Sequence, residues 1–163
     1  MTLQGWLFNI LCRWAMRITR RRPPDFVVGH PLTPYLRRWW VIPRNKLFNV
    51  YVHEFLRSDD DRALHDHPWP WASLLLSGRY IEHTIAAGGI HRLRAYWRGC
   101  FRMHGPRFAH RLEIVPGQPC YTLFITGPRV REWGFHCRRG WVHWQKFTDP
   151  KTGGTTVGRG CDQ

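Results

Sequence analysis

The stretch Leu64-His65-Asp66-His67-Pro68-Trp69 places two histidines one residue apart. Side chains on an extended segment alternate between its two faces, so His65 and His67 are predicted to point the same way. Pro68 and Pro70 argue against a helix here, because proline lacks the amide proton that a helix interior needs. Two imidazoles on one face of a strand can bind one divalent cation, and the pattern therefore predicts a metal site.

A third ligand must come from elsewhere in the chain. The best candidate is His110, in the segment Gly105-Pro106-Arg107-Phe108-Ala109-His110. His104 lies close to His110 in sequence and is the alternative third ligand.

The composition is that of one folded domain. The chain has 163 residues, and its hydrophobic content of 43% is enough for a full core. This content argues against wholesale disorder. Ten tryptophans contribute to the high aromatic content, and such bulky flat side chains suit the inside of a barrel or the wall of a pocket.

The chain is strongly basic, with a net charge of +14. This charge predicts attraction to a polyanion, which could be nucleic acid, an acidic membrane surface or an anionic substrate. The run Arg37-Arg38-Trp39-Trp40 could stack on a nucleotide base, or its arginines could cover packed rings.

The chain has five cysteines, an odd number, and no pair has the spacing C-x-x-C. This argues against a disulfide framework and against a multi-cysteine zinc site, so we expect free thiols and the cytoplasm as the compartment. The sequence has no apolar run of the roughly 18 residues that a spanning helix needs. The arginines of the first segment follow its apolar part, which is the reverse of a signal peptide.

Residues 1–24 are predicted to form a basic amphipathic helix that ends at Pro23-Pro24. We expect it to dock on the body of the domain or on a second subunit of a homodimer; the alternative is an arm that binds a membrane surface or a polyanion. Its predicted apolar face consists of Leu3, Leu7, Ile10, Trp14 and Ile18.

Residues 25–148 are predicted to form one β-domain. Residues 25–45 read as irregular because of their prolines, and short strand-like runs follow from Lys46. Many short strands at close spacing indicate a β-sandwich or barrel. The glycine-rich and threonine-rich residues 149–163 are predicted to be a flexible tail. The predicted strands are 47–55, 71–76, 79–85, 91–97, 100–104, 108–115, 120–126, 132–137 and 142–147.

The histidine spacing resembles the cupin superfamily, whose first motif is G-x5-H-x-H-x(3,4)-E-x6-G. His65, His67 and Gly78 stand at the motif positions, whereas Asp59 replaces the first glycine and Trp71 replaces the glutamate. The resemblance implies an all-β fold of the cupin type, a double-stranded β-helix, here with an N-terminal helix.

The second cupin motif, G-D-x4-P-x-G-x2-H-x3-N, is kept only in part. Gly99 and His110 keep its spacing, and the proline is displaced by one position to Pro106. Cys100 and Ile114 stand at the aspartate and asparagine positions. More narrowly, the chain is similar to uncharacterised cupin-like proteins of phages and bacteria that carry a His-Asp-His-Pro-Trp block.

The loss of the motif glutamate leaves three neutral imidazoles, so a bound metal would keep its full positive charge and open coordination positions. Similar three-histidine sites in the superfamily occur in thiol dioxygenases, which use Fe(II). The resemblance therefore favours Fe(II), with Zn, Ni or Mn as alternatives. In the other interpretation the domain has lost its metal, and His65 and His67 are hydrogen-bonded in the core.

Other residues are candidates for the pocket around the metal. Glu82 could be a general base beside Tyr80, and Asp66 could orient a ligand or cap the loop. Arg129 and Arg131 could clamp a carboxylate or phosphate, or they could belong to the basic surface. The remaining candidates for substrate binding are His53, Trp69, Trp71 and Trp133.

The sequence thus predicts a metal-dependent enzyme of oxygenase type that acts on a polar or anionic small molecule. A basic binding protein for nucleic acid or a nucleotide-like anion is the alternative from another class. A metal-dependent isomerase or hydrolase is a third possibility, because one barrel hosts many chemistries.

Overall fold

The computed structural model describes residues 3–59 and 63–161. Within them the chain forms an N-terminal helix, α1 (Leu3–Arg21), a set of short strands and a short helix, α2 (Trp144–Phe147). The strands are β1 (Phe26–His30), β2 (Thr33–Trp40), β3 (Asn49–Phe55), β4 (Leu64–His65), β5 (Trp71–Ser77), β6 (Arg79–Ala86), β7 (Ile90–Trp97), β8 (Phe101–His104), β9 (Arg111–Ile114), β10 (Cys120–Thr126), β11 (Gly134–Cys137) and β12 (Gly140–His143).

The strands form three antiparallel sheets. The large sheet has the order β1-β2-β3-β10-β5-β8, the second sheet β7-β6-β9, and the small third sheet β12-β11-β4. The large and second sheets face each other across a shared apolar core, as expected for alternating strands that each bury one face. The buried residues of this core are Leu36, Phe55, Leu75, Tyr80, Tyr96, Leu112, Ile114 and Cys120.

The turn at Gly78 carries the chain from the large sheet to the second sheet. Gly78 has φ +82°, and a Cβ there would lie 2.8 Å from the carbonyl oxygen of Pro119 and 2.9 Å from Cα of Cys120. Both the backbone conformation and the close approach of β10 require glycine. This turn places β5 and β6 on opposite sides of the barrel interior.

Helix α1 packs on the outer face of the large sheet. Ala15 is fully buried there against Trp39, Val52 and Leu76. Four further helix residues pack against this cluster, namely Phe8, Leu11, Cys12 and Ile18. The predicted helix therefore exists and docks on the body of the domain.

The face that α1 buries differs from the predicted one. Leu7, Ile10 and Trp14 are 52%, 38% and 40% exposed, and only Ile18 of the described predicted face contacts the core. The cause is a second apolar stripe that has the same helical period and includes Ala15, whose small side chain allows a close approach to the sheet.

Residues 25–45, predicted as irregular, form β1 and β2. These strands pair antiparallel, and β2 also pairs with β3. Pro31 lies in the turn, and Pro34 lies near the start of β2, where the register of the pairing shifts between Val28 and Gly29.

The basic aromatic run in β2 is engaged within the protein. Trp39 is 3% exposed and donates to the carbonyl of Arg22 at 3.0 Å. Arg37 pairs with Glu54 at 3.2 Å, and Arg38 donates to His53 at 2.9 Å. These contacts, with the Arg38 guanidinium 4.9 Å from the Tyr51 ring, favour the interpretation in which the arginines of the run cover packed rings.

The predicted strand 142–147 is only partly a strand. Strand β12 ends at His143, whose side chain accepts a hydrogen bond from the amide of Gln145 and so caps the short helix α2. Phe147 at the end of α2 is fully buried and stacks on Phe135 with ring centroids 3.6 Å apart.

The described part of the C-terminal segment differs from the expected flexible tail. The amide of Gly29 donates to the carbonyl of Thr155 at 2.7 Å, and Thr148 forms a β-bridge with Val157. A disulfide joins Cys137 to Cys161, which corrects the expectation of free thiols throughout. The two cysteines are 24 residues apart, so short-range spacing did not reveal the pair. The expected reducing compartment rested on the absence of disulfides, so this bond removes the support for it.

Among the described residues, no helix has both the length and the apolar character required to cross a membrane.

Candidate metal centre

Two of the three predicted ligands are direct partners on neighbouring backbone segments. His65 and His110 exchange both backbone hydrogen bonds at 2.9 Å, so their side chains emerge on the same face. His67 follows two residues after His65, as the alternation of an extended segment requires. The ring centroids of the three histidines lie 5.0–5.2 Å apart in each pair.

The candidate ligand atoms of His65, His67 and His110 all lie within 4.8 Å of one another. Nε2 of His67 lies 3.0 Å from Nε2 of His110. Two nitrogens that bind one ion at about 2.0–2.1 Å in adjacent positions lie about 3 Å apart. The pair therefore fits a shared cation, and the same distance also fits a hydrogen bond between the rings.

The protonation state also suits ligation. Burial lowers the pKa of both His67 and His110 well below the usual histidine value, and the neighbouring His65 lowers it further. At neutral pH these imidazoles are neutral, which is the form that binds a metal. His65 and His67 are both partly exposed, whereas His110 is buried.

Glu82 supports His110 from behind. Its carboxylate accepts a hydrogen bond from Nδ1 of His110 at 2.6 Å and also pairs with Arg102. Burial raises the pKa of Glu82, and the Arg102 guanidinium opposes this by lowering it. Glu82, expected as a general base, is thus a buried acceptor that orients a histidine.

Tyr80, the other candidate catalytic residue, belongs to the same network. Its hydroxyl accepts a hydrogen bond from Arg102 at 2.9 Å. Burial raises the pKa of Tyr80 to about 12, so the phenol stays protonated at neutral pH. Because Tyr80 is 3% exposed and lies in the core between the sheets, the structure places it behind the histidines.

Asp59 has a similar relation to His65. Its carboxylate lies 3.7 Å from Nδ1 of His65 and accepts from the amide of Leu112 at 3.0 Å. Sequence reasoning treated Asp59 only as a departure from the motif glycine, and it did not single out Arg102. In β8, Arg102 and His104 point to the same face of the strand, and this alternation could have identified Arg102 as a residue near the site.

Trp71 lies inside the barrel beside the histidines, as the strand alternation predicts. It is 2% exposed, and its ring centroid lies 5.0 Å from that of His110 and 5.5 Å from that of His67. Trp69 packs against the same aromatic cluster. His104 instead stacks on Phe108 with centroids 3.6 Å apart.

His53 lies on the inner face of β3. It is 3% exposed, and its ring stacks on Phe124 at 4.9 Å. Burial lowers the pKa of His53 well below its usual value, and the neighbouring Arg38 lowers it further. Its Nε2 accepts from Arg38, while Nδ1 is buried without a hydrogen-bond partner.

Other polar atoms in the barrel are also unsatisfied. Buried polar groups are normally paired, so an orphaned group indicates a missing ligand or water. Among the described residues, the buried atoms without a protein partner on the strands and loop around the site are Nδ1 of His53, Nε1 of Trp69, Nε1 of Trp71, Nε of Arg102 and Oγ1 of Thr122.

The loop after β10 does not supply the predicted anion clamp. Arg129 pairs with Glu132 at 2.7 Å and is exposed. Arg131 pairs with Asp66 at 2.8 Å, so its charge is compensated within the protein. Trp133 stacks on Trp144 with centroids 5.8 Å apart.

Asp66 has the role of a loop anchor. Besides Arg131, it accepts hydrogen bonds from the amide of Gly134 at 2.8 Å and from the indole of Trp141 at 3.1 Å. Burial alone would raise its pKa, but hydrogen bonds from His136, Arg131 and Gly134 outweigh this effect and lower it to about 2. This anchoring holds the residue between His65 and His67 in place.

Comparison with protein-family models found no match, and comparison with curated proteins also found none. Comparison with solved structures found proteins of the double-stranded β-helix fold. The Fe(II) form of HppE is matched with a TM-score of 0.52 and 12% identity over 64% of this chain, and the chain spans 56% of that protein.

Two further matches come from bacteria. An uncharacterised conserved protein with a double-stranded β-helix domain from Klebsiella pneumoniae has a TM-score of 0.50 and 16% identity, with 74% of this chain and 92% of that chain covered. A candidate mannose-6-phosphate isomerase from Ralstonia eutropha JMP134 has a TM-score of 0.50 and 17% identity, with 64% and 92% covered. These likenesses confirm the predicted all-β double-stranded β-helix fold, and α1 is the predicted N-terminal helix.

Proposed function

We propose that the chain binds one divalent metal ion through His65, His67 and His110 and is a metal-dependent enzyme. The observation that carries this proposal is the convergence of three imidazoles whose ligand atoms lie within 4.8 Å, with carboxylates behind two of them. Metal-binding histidines commonly donate their other ring nitrogen to a carboxylate, which fixes the tautomer and the ring orientation.

The reaction we favour is an oxygenase-type oxidation of a small molecule, with Fe(II) as the metal. The Fe(II) form of HppE, which has a similar fold, supports this choice of metal. Bound here, Fe(II) would supply oxygen chemistry, whereas Zn in the same three-histidine set would activate water. Glu82 holds the proton of His110 on Nδ1, which leaves Nε2 of that ring free for a metal. The Asp59 carboxylate lies 3.7 Å from Nδ1 of His65, so it adds negative charge behind this ring without a hydrogen bond.

The substrate we favour is polar or anionic. Trp71 offers a flat wall beside the histidines, and the unpaired indole nitrogens of Trp69 and Trp71 can donate to substrate oxygens. The guanidinium of Arg38 bonds to the imidazole of His53 and lies 4.9 Å from the Tyr51 ring, so it adds positive charge to the interior. A substrate would approach from the side of His65 and His67, the two partly exposed histidines.

The test is elemental analysis of protein purified without chelator. We expect one metal ion per chain in the wild type and loss of that metal in His65→Ala and His110→Ala. His91→Ala is the matched control, because His91 lies on β7 in the second sheet, outside the cluster. Absence of metal after addition of Fe, Ni, Mn and Zn would overturn the proposal.

Metal identity separates the reaction classes. Iron content with oxygen uptake in the presence of small carboxylates or phosphates would support the oxygenase. Stoichiometric zinc without oxygen uptake would reject it in favour of a metal-dependent hydrolase or isomerase.

A further inference from the structure

Four large apolar side chains in the first part of α1 are substantially exposed. Trp6, Leu7, Ile10 and Trp14 are 46%, 52%, 38% and 40% exposed. At 100° per residue these side chains lie within one stripe about 100° wide, which flanks the buried stripe that contains Ala15. We call these four residues the outer stripe.

Strand β8 exposes two further large apolar side chains on the face of the large sheet that α1 covers. Phe101 of β8 pairs with Leu74 of β5, and Leu74 packs against the cluster that holds α1. Phe101 and Met103 are 62% and 73% exposed. Large apolar side chains that are grouped in this way mark an interaction surface, whereas single exposed ones need no explanation.

Positive charge continues the outer stripe towards the end of the helix, because Arg17 and Arg21 fall on the same side of α1 as Ile10 and Trp14. Helix α1 contains no acidic residue, and it ends in Arg20 and Arg21. A groove of about 530 Å³ runs along one side of the helix. The arginines that line it are Arg13, Arg17, Arg20, Arg21 and Arg98.

We propose that the outer stripe of α1 docks on the surface of an anionic phospholipid membrane. Amphipathic helices with tryptophan and leucine on one face and arginines beside them lie in the plane of a bilayer interface. Trp6 and Trp14 suit this position, because indole prefers the boundary between headgroups and acyl chains. The arginine-lined groove would then contact lipid phosphates.

Charge complementarity favours a membrane over a second copy of the chain. A twofold interface pairs a surface with itself, so a dimer through α1 would bring two rows of arginines together. A bilayer with anionic lipids carries the opposite charge. Each arginine near its surface should raise the membrane partition coefficient roughly fivefold. Nucleic acid offers the charge but gives the aliphatic side chains of Leu7 and Ile10 no apolar phase to enter.

The experiment is co-sedimentation of the full chain with vesicles of phosphatidylcholine alone or mixed with phosphatidylglycerol. We expect binding to the mixed vesicles at low ionic strength, weaker binding to phosphatidylcholine, and a decrease with salt. The variant Trp6→Gln/Trp14→Gln should lose at least about tenfold in partition. Ile85→Gln/Ile90→Gln is the matched control, because both isoleucines are 58% exposed and lie on the second sheet.

A second variant tests the charge. Arg13→Gln/Arg17→Gln should reduce binding to the mixed vesicles by about tenfold or more and leave the weak binding to neutral vesicles unchanged. Lack of binding to anionic vesicles, or equal binding by Trp6→Gln/Trp14→Gln and wild type, would overturn the proposal. Loss of a dimer in that variant without loss of vesicle binding would assign the stripe to a second copy, and tighter binding to RNA than to vesicles would assign it to nucleic acid.

Discussion

Glu82 accepts a hydrogen bond from Nδ1 of His110 at 2.6 Å, and the opposite nitrogen of the same ring lies 3.0 Å from Nε2 of His67. The carboxylate thereby selects the tautomer that carries its proton on Nδ1 and directs the Nε2 lone pair into the cluster. Glu82 is 2% exposed, so water does not compete for this contact. Glu82 on β6 therefore orients a candidate metal ligand that directly precedes β9, the neighbouring strand of the same sheet.

The variant Glu82→Gln should weaken metal binding by about 10–100-fold, since removal of a carboxylate behind a ligating histidine has effects of this size. Metal affinity is measured by competition with a chromophoric chelator. Because Arg102 would lose its charged partner, the folded fraction is measured by circular dichroism, and affinity is expressed per folded chain.

Glu113→Gln is the control for this variant, because Glu113 contacts His83 outside the cluster and its side chain is 48% exposed. Equal metal affinity in Glu82→Gln and Glu113→Gln would show that the contact with His110 does not support the site.

The variant Asp66→Asn should destabilise the fold by about 2 kcal/mol at pH 7. The pKa of Asp66 is lowered from 3.8 to about 2 in the folded protein. The resulting stability is fully present above about pH 5, is lost progressively as the pH falls through the folded pKa of about 2, and is absent only below it, where both states bind the proton. Urea unfolding of wild type and variant at pH 7, 4 and 2 measures the difference.

Glu132→Gln serves as the comparison, since Glu132 belongs to an exposed pair with Arg129 and its loss should change stability little. A stability difference between wild type and Asp66→Asn that stays constant from pH 7 to pH 2 would contradict the role of the carboxylate charge.

Thiol titration tests the disulfide between Cys137 and Cys161. Unfolded without reductant, the chain should show three reactive thiols, from Cys12, Cys100 and Cys120. The folded chain should react more slowly at Cys120, because burial raises the pKa of its thiol to about 12.

Reduction of this bond should lower the free energy of unfolding by about 3 kcal/mol, the entropy of closing a loop of this length. The double variant Cys137→Ser/Cys161→Ser should show the same loss and no further effect of reductant. Five reactive thiols in the unreduced unfolded chain would contradict the disulfide.

The features of the site that the sequence predicts are those encoded locally. The spacing of His65 and His67 sets their common face, and the motif spacing supplies His110. Local period and motif spacing are sufficient for these three positions. Trp71 also points inward as expected, but a bend at Pro68 and Trp69 separates it from His67 and it belongs to another strand, so the alternation of a single strand does not explain this agreement.

Features that depend on distant partners could not be predicted in this way. Arg131 looked free to bind an anion, but the fold brings it to Asp66. Helix α1 has two apolar stripes of the same period, and only the shape of the sheet selects the stripe with Ala15. The pairing of Cys137 with Cys161 likewise depends on the path of the chain after β12.

Trp71 stands where the cupin motif has glutamate. Its ring lies beside His67 and His110, so Trp71→Glu should add a carboxylate to the three imidazoles. With metal, the fourth ligand should tighten binding and lower the net charge of the site. Without metal, a buried carboxylate in place of an indole should destabilise the fold, so metal should raise the melting temperature more in this variant than in wild type. Trp71→Phe is the control, because it keeps an aromatic ring and adds no ligand. If Trp71→Glu and Trp71→Phe gain the same thermal stabilisation from metal, the ion does not lie next to Trp71, and the assignment of His67 and His110 as ligands fails.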